Sequence, residues 1–106
     1  MTAAVMTTYK FSLKPQVTDA DFLQASEKVQ TFLGQWPGFQ YRSVAKTESQ
    51  QWLDVNYWEN QTLLGNMDEA FSTHADCQAF MSMIDLDNME VTRAQVLLAS
   101  ACTDAA

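Results

Sequence analysis

Met89-Glu90-Val91-Thr92-Arg93-Ala94-Gln95-Val96-Leu97-Leu98-Ala99 decides the fold of this chain. By propensity its Glu, Arg, Ala, Gln and Leu favour a helix, and Val91, Ala94 and Leu98 fit one helical face. Its place in the chain points the other way. The elements before it read β-α-β-β-α, an order that lacks one strand to complete a split β-α-β sheet. Residues 89 to 99 are therefore assigned to that fourth strand, and the fold class is α+β.

Immediately upstream, Asp85-Leu86-Asp87-Asn88 is a turn by composition. Before it, Asn60 can cap a helix that sets Leu63, Leu64, Met67, Ala70, Phe71 and His74 on one face. Gly65 weakens that helix by roughly 1 kcal/mol relative to Ala. Asp76 offers a fresh cap, and Cys77, Phe80, Met81 and Ile84 repeat the helical spacing. The region reads as a helix, a break near Ala75, and a second short helix. Trp52 to Trp58 alternates as a strand, with Leu53, Val55 and Tyr57 on one face and Trp52, Asp54, Asn56 and Trp58 on the other. Phe39 to Lys46 is its neighbour, and the polar link from Thr47 to Gln51 is short enough for a hairpin. Thr18 and Asp21 open an earlier helix whose apolar face is Phe22, Ala25, Val29, Phe32 and Leu33, closed by Gly34 and Pro37. Thr8 to Lys14 alternates Tyr9, Phe11 and Leu13 with polar residues as the first strand, which Pro15 ends. Residues 1 to 7 are expected to be irregular, 8 to 99 a single domain, and 100 to 106 frayed.

Several classes of function are excluded by composition. Thirteen acidic against six basic residues give a net charge of −7, with no basic stripe to neutralise phosphates or anionic lipid. Cys77 and Cys102 have neither disulfide-framework nor zinc-ligand spacing. The Met1-Thr2-Ala3-Ala4-Val5-Met6 start lacks a basic region and a long apolar core, so a cytoplasmic protein with free thiols is expected. No metal site, phosphate-cradling glycine loop or nucleophile elbow is evident.

Three local marks join the element order: Trp36-Pro37-Gly38-Phe39 entering the second strand, Trp52 to Glu59 in the third, and Cys77-Gln78-Ala79-Phe80 in the second helical region. Together they resemble the dimeric α+β barrel superfamily, which contains the antibiotic-biosynthesis monooxygenase-like domains. The resemblance spans about residues 8 to 98. It implies a ferredoxin-like subunit that pairs through its sheet face with a second copy, and a pocket between sheet and helices that takes a small aromatic molecule without a cofactor. Two indoles beside Asp54 and Asn56 fit a partly wet interface or a cavity wall.

Asn56 and Trp58 lie two apart on one strand and so point to the same side. Cofactor-independent monooxygenases of the resembled group position a phenolic substrate with an Asn and a Trp. An amide can stabilise a developing oxyanion and an indole can stack on the ring. The plainer reading makes Trp58 core and Asn56 a partner to a neighbouring group. His74, the single histidine, is the candidate proton carrier, against the plainer reading of a helix-end residue. Tyr41, Met67, Phe71 and Met81 are the candidate pocket residues, with Tyr41 and Arg42 on opposite faces of the second strand. Cys77 could be activated at a helix start, yet its register with Phe80 and Ile84 favours burial. Haem degradation is disfavoured, because no His falls between Cys77 and Ile84 and the first strand has no Asn. The expected activity is monooxygenase-like, or isomerase-like, on a small aromatic molecule; the alternative is a non-catalytic small-molecule-binding or stress-related homodimer.

Overall fold

In a computed structural model that describes residues 4 to 99, the chain forms four strands and three helices. They are β1 (Val5–Phe11), α1 (Asp19–Gly34), β2 (Phe39–Lys46), β3 (Trp52–Trp58), α2 (Gln61–Phe71), α3 (Ala75–Met81) and β4 (Glu90–Gln95), with a 3-10 turn over Leu86–Asn88. The fold is the expected ferredoxin-like one: one antiparallel sheet in the order β2-β3-β1-β4. No described helix is long and apolar enough to cross a membrane.

The deciding segment is a strand, shorter than expected. Glu90–Gln95 pairs along β1, and the Val96 amide still donates to the Ala4 carbonyl at 2.8 Å. Leu97 and Leu98 then stand almost fully exposed. Helix propensity loses here because β4 gives the open edge of β1 the backbone partners that a helix over the same residues would leave it without.

The first strand begins earlier than Thr8. Val5, Met6 and Thr7 already pair with Trp58, Tyr57 and Asn56, so residues 5 to 7 are sheet rather than irregular. It also stops at Phe11, before Pro15, and Leu13 makes only an isolated bridge to Ile84. Residues 1 to 3 and 100 to 106, including the segment expected to fray, lie outside the described residues.

Local signals explain the helices. The Thr18 side chain accepts from the Asp21 amide, and that of Asn60 from the Leu63 amide, each satisfying a donor that a helix start leaves open. Asp76 is not the cap of α3. His74 holds that position, with no side-chain capping bond, and Asp76 sits in the first turn. His74 therefore lies outside α2 rather than on its apolar face. The Pro37-Gly38 entry to β2 has a steric cause. Gly38 has φ +90°, and a Cβ there would stand 2.6 Å from Leu63 Cδ1, so only glycine lets α2 close on the sheet.

The core lies between the helices and one sheet face. Phe22 of α1 packs against Phe11, Phe80 and Trp52, with ring centroids 5.6, 5.1 and 4.8 Å away. At the other end Trp58 is fully buried and meets Phe39 edge-on at 5.4 Å. Each such ring contributes about 1.5–3 kcal/mol by leaving water. The indole-bearing face of β3 thus turns inward under its own helices; it is not an interface. The outer face carries Met6, Leu53, Val55 and Tyr57, all half-buried, with Tyr41 half exposed beside Tyr57.

Candidate active site

A polar row crosses the inner face of the sheet. In register, Arg42 stands beside Asn56, Asn56 beside Thr7, and Thr7 beside Arg93, one residue from each strand. In the next row Asp54 stands beside Tyr9. Above these rows the helices leave a cavity of about 170 Å³. Its floor includes Tyr9, Asp54 and Asn56; its roof includes Met67, Asp68 and Phe71 of α2 and Phe80 and Met81 of α3. The wall is mostly apolar, and the volume is below the roughly 300–1,000 Å³ usual for small-molecule sites. It is comparable to a ~150 Å³ cavity that holds benzene.

Asn56 is 4 % exposed and its amide orientation is fixed. The Thr7 hydroxyl donates to its Oδ1 at 3.0 Å, and the Trp58 indole N–H donates to the same oxygen at 2.6 Å. An indole nitrogen can only donate, so Oδ1 must face Trp58 and Nδ2 must face away. Nδ2 makes no hydrogen bond among the described residues. There the only fully enclosed side-chain polar atom without a partner is His74 Nδ1, so Asn56 Nδ2 is not fully enclosed, and its residue lines the cavity. Trp58 itself is not part of the wall. It stands behind Asn56 and aims it.

Two ion pairs flank the cavity. Arg42 Nε and Nη2 donate to the two oxygens of Asp54 at 3.1 and 2.8 Å, while Nη1 and Nη2 reach the Ser26 carbonyl and hydroxyl at 3.0 and 2.9 Å. The guanidinium also lies 5.7 Å from the Phe80 ring centre. At the rim, Arg93 Nη2 donates to Asp68 at 2.6 Å. Tyr9 lies by this second pair. Burial, and then Asp68, hold its phenol above the usual value, with Arg93 pulling the other way.

The structure brings Asn56, Met67, Phe71 and Met81 together around one space. Two expected site residues are elsewhere. Tyr41 is half exposed on the outer sheet face, and Arg42 is the residue of that pair that turns inward. His74 is absent from the wall; its ring packs 4.6 Å from that of Phe32, and its Nδ1 is enclosed without a partner. Its position as the cap of α3, not on α2, carries it away from the cavity. Cys77 is buried, and its thiol is pushed up to about 11, first by burial and then by Asp76. Among the described residues no group of three metal-binding side chains occurs.

Sequence reasoning missed Tyr9, Asp68 and Arg93, and it placed Asp54 on a candidate cavity wall without naming its cation. One signal was present. An aspartate alternating with two indoles must, if buried, find a cation, and few are available among six basic residues. Naming Arg42 required the register between β2 and β3.

No family model matches the chain, and no curated protein matches it in sequence. Its fold is found among solved structures. A variant of SnoaB, a cofactor-independent oxygenase from Streptomyces nogalater, superposes with TM-score 0.78 over 93 % of this chain and 98 % of its own, at 11 % identity. A proposed antibiotic biosynthesis monooxygenase from Nitrosomonas europaea gives 0.73, covering 95 % of this chain and 97 % of its own at 11 % identity. A conserved protein from Methanosarcina mazei gives 0.70 over 87 % and 91 %, at 11 % identity. The chain shares the fold of the antibiotic-biosynthesis monooxygenase-like proteins along nearly its whole length.

Proposed function

We propose that the chain is a cofactor-independent, monooxygenase-like enzyme that binds a small aromatic molecule in the cavity between sheet and helices. The observation that carries this reading is the Asn56 amide, whose oxygen is held by Thr7 and Trp58 while its N–H groups have no partner among the described residues and its residue lines an aromatic-sized space. A ring hydroxyl that loses its proton becomes an oxyanion, and a fixed donor in a dry cavity stabilises that charge more than water-exposed groups would. Electron density then rises in the ring, which can reduce molecular oxygen directly. Where a dihydroxylated ring becomes a hydroxyquinone, the substrate gains one oxygen and loses two hydrogens in all. One atom of O2 ends in the product, and the other departs with both hydrogens as water. The substrate supplies all the electrons. In this reading Asn56 contacts substrate, Trp58 positions Asn56, and Met67, Phe71 and Met81 shape the roof.

The half-buried apolar residues of the outer sheet face support pairing of two copies through that face. A monomer in sedimentation at micromolar concentration would remove this part of the proposal. The catalytic part is tested by oxygen uptake with a panel of hydroxyaromatic compounds. Asn56→Ala is expected to lower turnover by about 10²–10³-fold, the usual cost of deleting one oxyanion donor. His74→Ala, outside the cavity wall, is expected to stay near wild type. Equal turnover in Asn56→Ala and wild type would refute the assignment.

A further inference from the structure

We infer that Asp54 sets the specificity of this cavity, selecting a neutral single ring with hydrogen-bond donors at two edges and rejecting carboxylated analogues. The inference rests on the reading of the cavity as an aromatic site and adds the chemistry of what enters. Four polar residues reach the space: Tyr9, Asp54, Asn56 and Asp68. Both nearby guanidinium groups are already engaged, Arg42 by Asp54 and Ser26 and Arg93 by Asp68. Among the described residues the cavity therefore has carboxylate acceptors and no unengaged cation to receive an anion.

Asp54 is the inner of the two carboxylates. Its side chain is 8 % exposed, and Arg42 uses one site on each oxygen. An ionised carboxylate has about four acceptor sites, so acceptor capacity remains on the side that lines the cavity. Asp54 and Asn56 are two residues apart on β3, which separates their side-chain origins by about 7 Å on one face. A ring lying over both can give a hydroxyl or amine proton to Asp54 while its other oxygen takes the Asn56 amide proton. A carboxylate in place of the first group would meet Asp54 as a like charge with nothing to offset it.

Anaerobic calorimetry with phenol, hydroquinone and 4-hydroxybenzoate tests this. Hydroquinone is expected to bind about 10- to 100-fold more tightly than phenol, the range for one added hydrogen bond to a charged acceptor. The carboxylated probe is expected to bind more weakly than phenol. Asp54→Asn alone strands Arg42, so the second variant is Arg42→Met combined with Asp54→Leu, which removes the buried pair together. In it the hydroquinone-to-phenol ratio is expected to fall to near one. Equal affinity for the two in wild type, or an undiminished ratio in the double variant, overturns the role of Asp54 while leaving an aromatic site. Failure of wild type to bind any of the three overturns the aromatic site itself, and this inference with it.

Discussion

Two Arg–Asp pairs guard the same cavity at different depths. Arg42–Asp54 spans 2.8 Å with side chains 1 % and 8 % exposed; Arg93–Asp68 spans 2.6 Å with side chains 45 % and 33 % exposed. By length the rim pair is the tighter. Energetically the order reverses, because water and salt screen the rim pair while nothing replaces a partner lost from the sealed one. Depth, not distance, determines what each pair does. The sealed pair ties β2, β3 and α1 together through Ser26, while the rim pair joins β4 to α2 where the cavity opens.

The largest expected effect breaks the sealed pair on one side. Arg42→Met leaves the Asp54 carboxylate buried without its cation and is expected to cost about 3–5 kcal/mol, read from urea unfolding at pH 7. Adding Asp54→Leu removes the stranded charge and is expected to recover most of that loss. If the single variant unfolds at the wild-type midpoint, the pair is not sealed and the contrast fails.

This pair also marks the limit of what the sequence discloses. The alternation from Trp52 to Trp58 gives the strand, its two faces and the neighbours of Asn56, because a period of two is a local property. The bounds of β2 and β3 follow for the same reason. Which face lies under the helices is not local. The indoles turn inward because α1 supplies Phe22 to meet Trp52, some 30 positions away, and α3 supplies Phe80 to stack on Phe22, some 58 positions away. Arg42 finds Asp54 only through the hairpin register, and Arg93 finds Asp68 only once β4 has docked on β1. His74 was misplaced because apolar spacing continued through a helix break that only the capping geometry reveals. Periodicity predicted the elements; the polar row that makes the site is assembled by pairings with no sequence period.

A smaller effect, spread over pH, distinguishes the sealed region by its thiol. Cys77 is buried, and its pKa is raised from 9.0 to about 11 by burial and by Asp76, with Arg42 opposing. The folded state therefore holds this proton more strongly than the unfolded chain. That contribution to stability is intact below about pH 9 and is lost as pH rises toward 11. Unfolding midpoints are expected to fall across this window, and to fall less in Cys77→Ala. At pH 8 iodoacetamide is expected to label Cys77 only as fast as the protein opens, with peptide mapping separating it from Cys102. Rapid labelling of the native chain would place Cys77 at the surface and contradict the burial.

The smallest expected effect tests the rim. Asp68→Asn is expected to cost about 1 kcal/mol or less at low salt, and the difference is expected to shrink further near 1 M salt, where the Debye length is only ~3 Å. The change should be clearer in Tyr9 than in stability. Burial is the largest cause of its raised pKa; Asp68 adds to the rise and Arg93 opposes it. Asp68→Asn should therefore move the Tyr9 titration down and Arg93→Gln should move it up, followed by tyrosinate absorbance with Tyr41→Phe and Tyr57→Phe as background. Because the folded pKa is raised, the Tyr9 contribution to stability is present below pH 10.0 and lost as pH climbs through the folded value. Opposite movement in the two variants would show a rim whose electrostatics are local and screened. A salt-independent loss of several kcal/mol in Asp68→Asn would mean that the rim is as closed as the interior, and the difference between the pairs would then need another cause.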